Sequence, residues 1–358
     1  MWRYSMKKIF NALFSKNNKN RTISFALVIL AYLIITILTK TIRVSRLFTS
    51  ILVPVCCYIV LALSLNLCVG FSGELSLGHA GFMAVGAFTA VVVSGLVQKT
   101  ISNEILRLVI AIICGGLMSG VFGLLISIPV LKLSGDYLAI VTLAFGQIIK
   151  SIINNIYLGY DARGIQFSFV TNKVELDGGK MLLSGPMGAT DTAKIASFTA
   201  GFILILFVLF IIYSLYNSKY GRAITAARDN RIAAESIGIS ITRIKTLAFV
   251  ISAILAGMGG ALYALNNSSL QPAKFDFNTS ILILVYVVFG GLGNITGTII
   301  ATSILYILPE LLRSVQDYRM LIYSIILIAI MLITNNAYLV QLIDNIKNKI
   351  FKKGESHE

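Results

Sequence analysis

Apolar residues run through this chain in long unbroken stretches separated by short polar ones, without the period of two or 3.6 residues that marks half-buried elements. A bilayer core about 30 Å thick takes about 20 helical residues. Nine such runs can be marked off, at 22–39, 47–69, 75–97, 105–131, 137–158, 195–216, 247–265, 279–308 and 320–340. The eighth is too long for one pass: at about 1.5 Å per residue it would reach well beyond the hydrocarbon core, and Gly290, Gly291, Gly293 and Gly297 interrupt it. It reads as two short passes, giving about ten in all. The pattern predicts an all-α, polytopic integral membrane protein with a basic N-terminal segment (1–21), a membrane domain (22–340) and a tail (341–358). Two loops stand out, 159–194 and 217–246.

Composition agrees. Of 358 residues 57% are hydrophobic and 13% charged, against roughly 25% charged in a soluble domain, which excludes a large soluble catalytic domain. The net charge of +15 is spread over short loops, not gathered with aromatic platforms as a nucleic-acid groove requires; the expected surroundings are membrane lipid, with no nucleic acid. Basic residues in short loops mark the cytoplasmic side. The first 21 residues hold six basic side chains and no acid, and no small-residue cleavage site follows the first apolar run, so a retained first span with a cytoplasmic N-terminus is expected. Counting passes puts 159–194 outside and 217–246 inside, the latter with Lys219, Arg222, Arg228, Arg231, Arg243 and Lys245. The basic tail also belongs inside if 279–308 crosses twice. Lys40, Arg43 and Arg46 run against this orientation. Cys56, Cys57, Cys68 and Cys114 lie in apolar runs without metal-site spacing and read as lipid-facing or packing residues.

Three stretches carry more than hydrophobicity. In Gly70 to Gly81, glycines, hydroxyls, a carboxylate and an imidazole fall between two apolar runs. Non-helical backbone at membrane depth must line a cavity or be buried in protein, so Ser72, Gly73, Glu74, Ser76, Gly78 and His79 are candidate translocation-path residues. The competing reading is a cytoplasmic turn capping the next helix, with His79 a packing residue. A second glycine-broken stretch, 290–297, lies at a corresponding place in the other half, as in transporters built from repeats. In the next stretch Ser134 and Asp136 signal a helix start; Thr142, Gly146 and Gln147 then place small and polar groups in an apolar helix, for packing or, at Gln147, for the path. Gly116 and Gly120 carry the same packing meaning. In the third, Arg222 to Ile237 reads as one helix ended by Gly238, with Ala223, Ala226, Ala227, Ala234 and Ile237 on one face and Arg228, Arg231 and Glu235 on the other. An alanine face lets a partner approach closely, and a docking helix or a solvated charge run both fit. The only Gly-Lys pair, Gly179-Lys180, is followed by methionine, so there is no Walker phosphate loop. Histidine occurs only at 79 and 357, and no GxSxG elbow is present.

The motifs Gly73 to Phe82, Tyr137 to Gln147 and Ala227 to Gly238, in that order and followed by the run 247–265, resemble the branched-chain amino acid ABC transporter permeases, and the second is most similar to the M-type subunit. The resemblance covers about 50–335. It implies a permease subunit of an ATP-driven importer in the plasma membrane of a prokaryote. The implied partners are two cytoplasmic ATPase subunits, a second permease that would be a sister chain, and an extracytoplasmic substrate-binding protein. No cofactor is implied on this chain; ATP and Mg would sit on the ATPases. The ATPase-coupling residues would be Arg228, Asp229, Arg231, Ala233, Ala234, Glu235 and Gly238. Glu74 stands where many relatives carry glutamine, and the same broad family resembles permeases for urea and nucleosides. The rival from another class is an ion-coupled secondary transporter with Glu74 and His79 as a proton site; such a carrier has no reason to shape 217–246 for docking. A membrane-embedded enzyme would need a polar catalytic cluster, which the sequence lacks.

Overall fold

The computed structural model describes residues 16–41, 46–98, 100–131, 135–161, 164–169, 179–190, 192–312, 318, 321–325 and 327–328. The tail 341–358, most of the run 320–340, Arg43 and Ser134 lie outside the described residues, as does the basic segment before Lys16. Residues 1–302 form one compact unit and 303–358 another; the first holds the sites described below.

The described residues include, in chain order, α1 (Lys16–Thr41), α2 (Arg46–Asn66), α3 (His79–Val97), α4 (Glu104–Val130), α5 (Asp136–Asn154), α6 (Phe198–Asn217), α7 (Lys219–Asp229), α8 (Arg231–Ser236), α9 (Ile241–Ala264), α10 (Phe277–Gly290) and α11 (Ile295–Leu311). Eight helices among the described residues are long and apolar enough to span a bilayer, and α11 is a shorter apolar one. The chain is therefore a multi-pass membrane protein. The long run 279–308 is broken where its glycines fall: α10 ends at Gly290, Gly291 and Gly293 take φ of 86° and 80°, and α11 begins at Ile295. Local chemistry sets the other ends. Asn103 accepts from the amides of Ile105 and Leu106 at the start of α4, Ser197 from Ala200 at α6, and Asp276 from Thr279 at α10, each satisfying donors the first helical turn leaves open. At α5 the chain turns in through Gly135 at φ 64° without a side-chain cap.

The centre is a seam of α3, α4 and α9 packed through small residues. A β-carbon at Gly86 would lie 2.2 Å from the Gly257 carbonyl, one at Gly260 would lie 2.1 Å from the Met83 carbonyl, and Gly116 and Gly120 face Met258 and Ile254. Ser119 bridges the three helices, its hydroxyl 2.8 Å from the Ala253 carbonyl and 3.2 Å from that of Phe82. Small residues let backbones meet where lipid offers no hydrophobic drive to association. Outside this seam, α2 packs on α9 and α6 through Val60 against Gly259 and Cys56 against Gly201. Cys56, Cys57 and Cys68 are buried and Cys114 is half-buried. α1 lies at the edge, stacking Tyr32 on Phe198 and Phe202 of α6.

The connections sort onto two rims. On one, residues 67–78, the α7–α8 segment and 291–294 meet: Gly70 abuts Gly293 and Arg228 bonds to Gly70. On the other, the chain carries short strands: β1 (Ile156–Asp161), β2 (Gly164–Phe169) and β3 (Lys180–Ser184) form an antiparallel sheet in the order β2-β1-β3, and β4 (Ala189–Thr190) pairs with β5 (Ser269–Leu270). Helix α5 consequently ends at Asn154, four residues before the apolar run does.

The glycine seam predicts that Gly260→Leu, which must displace α3 from α9, destabilises the detergent-solubilised protein by about 1–3 kcal/mol or more. Leu125→Ala, on the exposed face of α4, should leave its melting temperature nearly unchanged.

Candidate functional site

The break after α2 begins as a widened helical turn, Leu67–Phe71, which is buried throughout. Such π-turns mark places where regular helix yields to something else. The amides of Ser72 and Glu74 still donate to the carbonyls of Leu67 and Cys68, Gly73 then takes φ 73°, and irregular backbone leads to α3. This non-helical stretch is mostly buried, with Gly73 and Leu75 exposed, and polar groups in it and at the start of α3 are met by α5, α10 and α2. Leu77 N–H donates to the hydroxyl of Thr142 on α5 at 3.0 Å, and Ala80 N–H to that of Ser280 on α10 at 3.0 Å. His79 Nε2 lies 2.7 Å from the hydroxyl of Ser64 on α2, whose carbonyl accepts from Ser252 on α9. Gly78 and Gly81 let α5 approach, since β-carbons there would lie 2.1 Å from the Thr142 carbonyl and 2.9 Å from Gly146.

Charge concentrates at the same place. Glu74, 8% exposed, makes an ion pair with Lys245 in the second turn of α9. Arg228, at the end of α7, donates through Nη1 to the Gly70 carbonyl at 2.9 Å, with its stem over Gly73. The second break joins in through Asn66, which accepts from Gly293 N–H and donates to Thr298 Oγ1, both at 2.8 Å. The two glycine-broken stretches thus touch, and the loop 217–246 closes over their meeting point. The hydroxyls of Ser72 and Ser76 are buried without a partner among the described residues.

The loop itself differs from the single helix Arg222–Ile237. Asn230 adopts extended backbone (φ −151°, ψ 103°) and its side chain accepts from Ala233 N–H, so α7 ends at Asp229 and α8 starts afresh. An asparagine side chain that mimics a backbone acceptor favours a new N-terminus over continuation. Ala227 and Ala234 are buried in a small cluster with Ile241, and Ala223 and Ala226 are half-buried. Ile237, expected on that face, is instead 74% exposed, and Ile232 is 80% exposed. Asp229 pairs with Arg228 and Glu235 with Arg231. Gly238, at φ 84°, ends the turn after α8 with its amide bonded to the Glu235 carbonyl. Arg231, Ala233, Glu235 and Gly238 are all exposed.

Gln147 is not part of this cluster. It lies half-buried on α5, on a face that also exposes Ala144 and Ser151, in contrast to α4, whose exposed face from Ile105 to Ile128 carries only apolar side chains.

Residues 47–334 match the family described as branched-chain amino acid transport system / permease component. The chain belongs to this family. Among its curated relatives is the high-affinity branched-chain amino acid transport system permease protein LivM of Salmonella typhimurium, 34% identical over 325 residues that cover 87% of this chain and 74% of the relative. LivM of Escherichia coli is 35% identical over 77% of this chain and 66% of its own. The fructose import permease protein FruG of Bifidobacterium longum is 26% identical over 71% of each. No solved structure matches. Membership makes the chain a transport permease component.

Reading the sequence alone missed four residues of this permease's site: Ser64, Asn66, Ser280 and Thr298. Each is an uncharged polar residue in or beside an apolar run, a usual sign of an interhelical hydrogen bond, but nothing in the run names its partner.

Asn66→Leu in this permease should cost about 1–3 kcal/mol, because it removes the acceptor of the half-buried Gly293 amide and the buried hydrogen bond to Thr298. Thermal unfolding in detergent measures it, and Asn66→Asp, which keeps the acceptor, should cost less.

Proposed function

We propose that this permease is one of two membrane subunits of an ATP-driven importer for branched-chain or related amino acids in the plasma membrane of a prokaryote. The rim carrying α7 and α8 is its cytoplasmic face, which puts the N-terminus inside. Lys219, Arg222, Arg228, Arg231, Arg243 and Lys245 all gather there, as the positive-inside rule requires.

The observation that carries this reading is α8. Five of its six residues are exposed and only Ala234 is buried, yet it is capped at Asn230 and stopped at Gly238. A defined helix that buries almost nothing within its own chain, and presents Ile232 and Ile237 to solvent, is shaped for another surface. We assign that surface to a cleft in a cytoplasmic ATPase subunit, where Arg231, Ala233, Glu235 and Ile237 would make the contact. ATP and Mg would be bound and turned over on two such subunits, and an extracytoplasmic binding protein would deliver substrate to the rim carrying β1 to β5. The exposed face of α5 suits the sister permease and the path between the two chains, since Gln147 and Ser151 would be poorly solvated by lipid, whereas the face of α4 suits lipid. The amino-acid assignment draws on the relatives' names, LivM being more similar than FruG.

The ion-coupled alternative is disfavoured by the partners of its proposed proton site. The Glu74 carboxylate is held by Lys245 and the His79 ring by Ser64, so neither stands ready to bind a travelling proton.

Replacing both Ile232 and Ile237 with aspartate should leave the chain in the membrane while the ATPase is lost on purification and uptake falls about tenfold or more, as when buried anchors of an interface are removed. Normal uptake with the ATPase still bound would refute the docking role of α8.

A further inference from the structure

The docking segment is attached to the membrane domain on both flanks of α8, and both attachments land on the same five residues, Gly70 to Glu74. On the N-terminal flank Arg228 donates to the Gly70 carbonyl and lies against Gly73, where a β-carbon would come 2.8 Å from its Cγ. On the C-terminal flank Lys245 pairs with Glu74, with side chains only 16% and 11% exposed. An ion pair this withdrawn from water does not slide freely: separating it leaves an uncompensated charge at a buried site. On its other side the break is fastened to α5 through Leu77 and Gly78 and to α10 through Ala80. Any displacement of α8 is therefore delivered to the break, and through it to α5, the helix whose exposed face carries Gln147.

Resting on the importer reading above, we propose that the Glu74–Lys245 ion pair, seconded by the Arg228–Gly70 hydrogen bond, is the mechanical joint that converts movement of the docked ATPase into rearrangement of the helix break. Glu74 and Lys245 are thus positioning residues for transport. They do not touch the solute.

The test uses the complete importer, both permeases with ATPases and binding protein, in proteoliposomes, and reads uptake of radiolabelled branched-chain amino acids per ATP hydrolysed. Glu74→Lys and Lys245→Glu should each lower that ratio about tenfold while the complex still assembles and hydrolyses ATP, and the double swap should restore most of it. Because a single reversal can unfold the site, Glu74→Gln with Lys245→Gln provides a second arm without any unpaired charge; its ratio should also fall. An unchanged ratio in the glutamine pair, or a double swap no better than the single reversals, overturns the joint. If the unaltered assembly shows no ATP-dependent uptake, the importer reading itself fails, an outcome distinct from either of these.

Discussion

Everything in this molecule follows from the need to give each backbone amide and carbonyl a partner inside a solvent that offers none. Uninterrupted helices meet that need by themselves, which is why most of the chain is helix. The exceptions are informative because they must be served from elsewhere. At 67–78 and at 291–294 the helical ladder stops, and the freed groups are taken up by hydroxyl and amide side chains from α2, α5 and α10. A break of this kind cannot stand alone. It fixes the positions of its neighbours as firmly as they fix it, so the two breaks and the helices around them form one connected assembly.

That connection explains the distribution of small and polar residues. Glycine on α3, α4 and α9 serves close packing, where two backbones approach to distances no side chain would permit. Glycine at 73, 291 and 293 serves conformation, with positive φ that L-residues rarely adopt. Gly70 combines proximity with an electrostatic role, since it abuts Gly293 while its carbonyl receives Arg228. The charged groups follow the same logic. Glu74 is tolerated in a buried position because Lys245 meets it, and the pair is placed where the membrane domain meets the basic loop rather than in the middle of a span.

Much of the fold was legible from the sequence because bilayer thickness imposes a length on each apolar run. The described spans, the interruption after Gly290 and the packing use of Gly116 and Gly120 could all be read locally, though Gly297, read as part of the interruption, lies inside α11. Some residues of the site, Glu74 and His79 among them, were visible one at a time, but their partners were not. Glu74 and Lys245 are 171 positions apart and Asn66 and Gly293 are 227 apart, and no periodicity links residues at such separations. Strands β1 to β3 were missed for a different reason: in a loop placed outside the membrane, short segments such as Gly164 to Phe169, with apolar side chains at alternate positions, are too brief to be distinguished from coil. The division of the loop 217–246 turns on one residue, Asn230, which an amphipathic pattern continuing on either side conceals.

That division has a mechanical consequence. A single helix from Arg222 to Ile237 would present a rigid rod tangent to the rim, able to rock about its middle and pass little of its motion inward. Split at Asn230, the segment becomes a long arm, α7, whose end is bonded to Gly70, and a short exposed element, α8, that returns through Gly238 to the start of α9 and Lys245. Under the proposed docking, a push on α8 would load both attachments together, and both reach the same short stretch of backbone. Because that stretch is held by hydrogen bonds to separate helices rather than by one continuous ladder, it can exchange some of those bonds without unwinding α2 or α3. The same constraint that forces every broken backbone group to find a partner therefore also supplies the few bonds through which motion can enter the membrane.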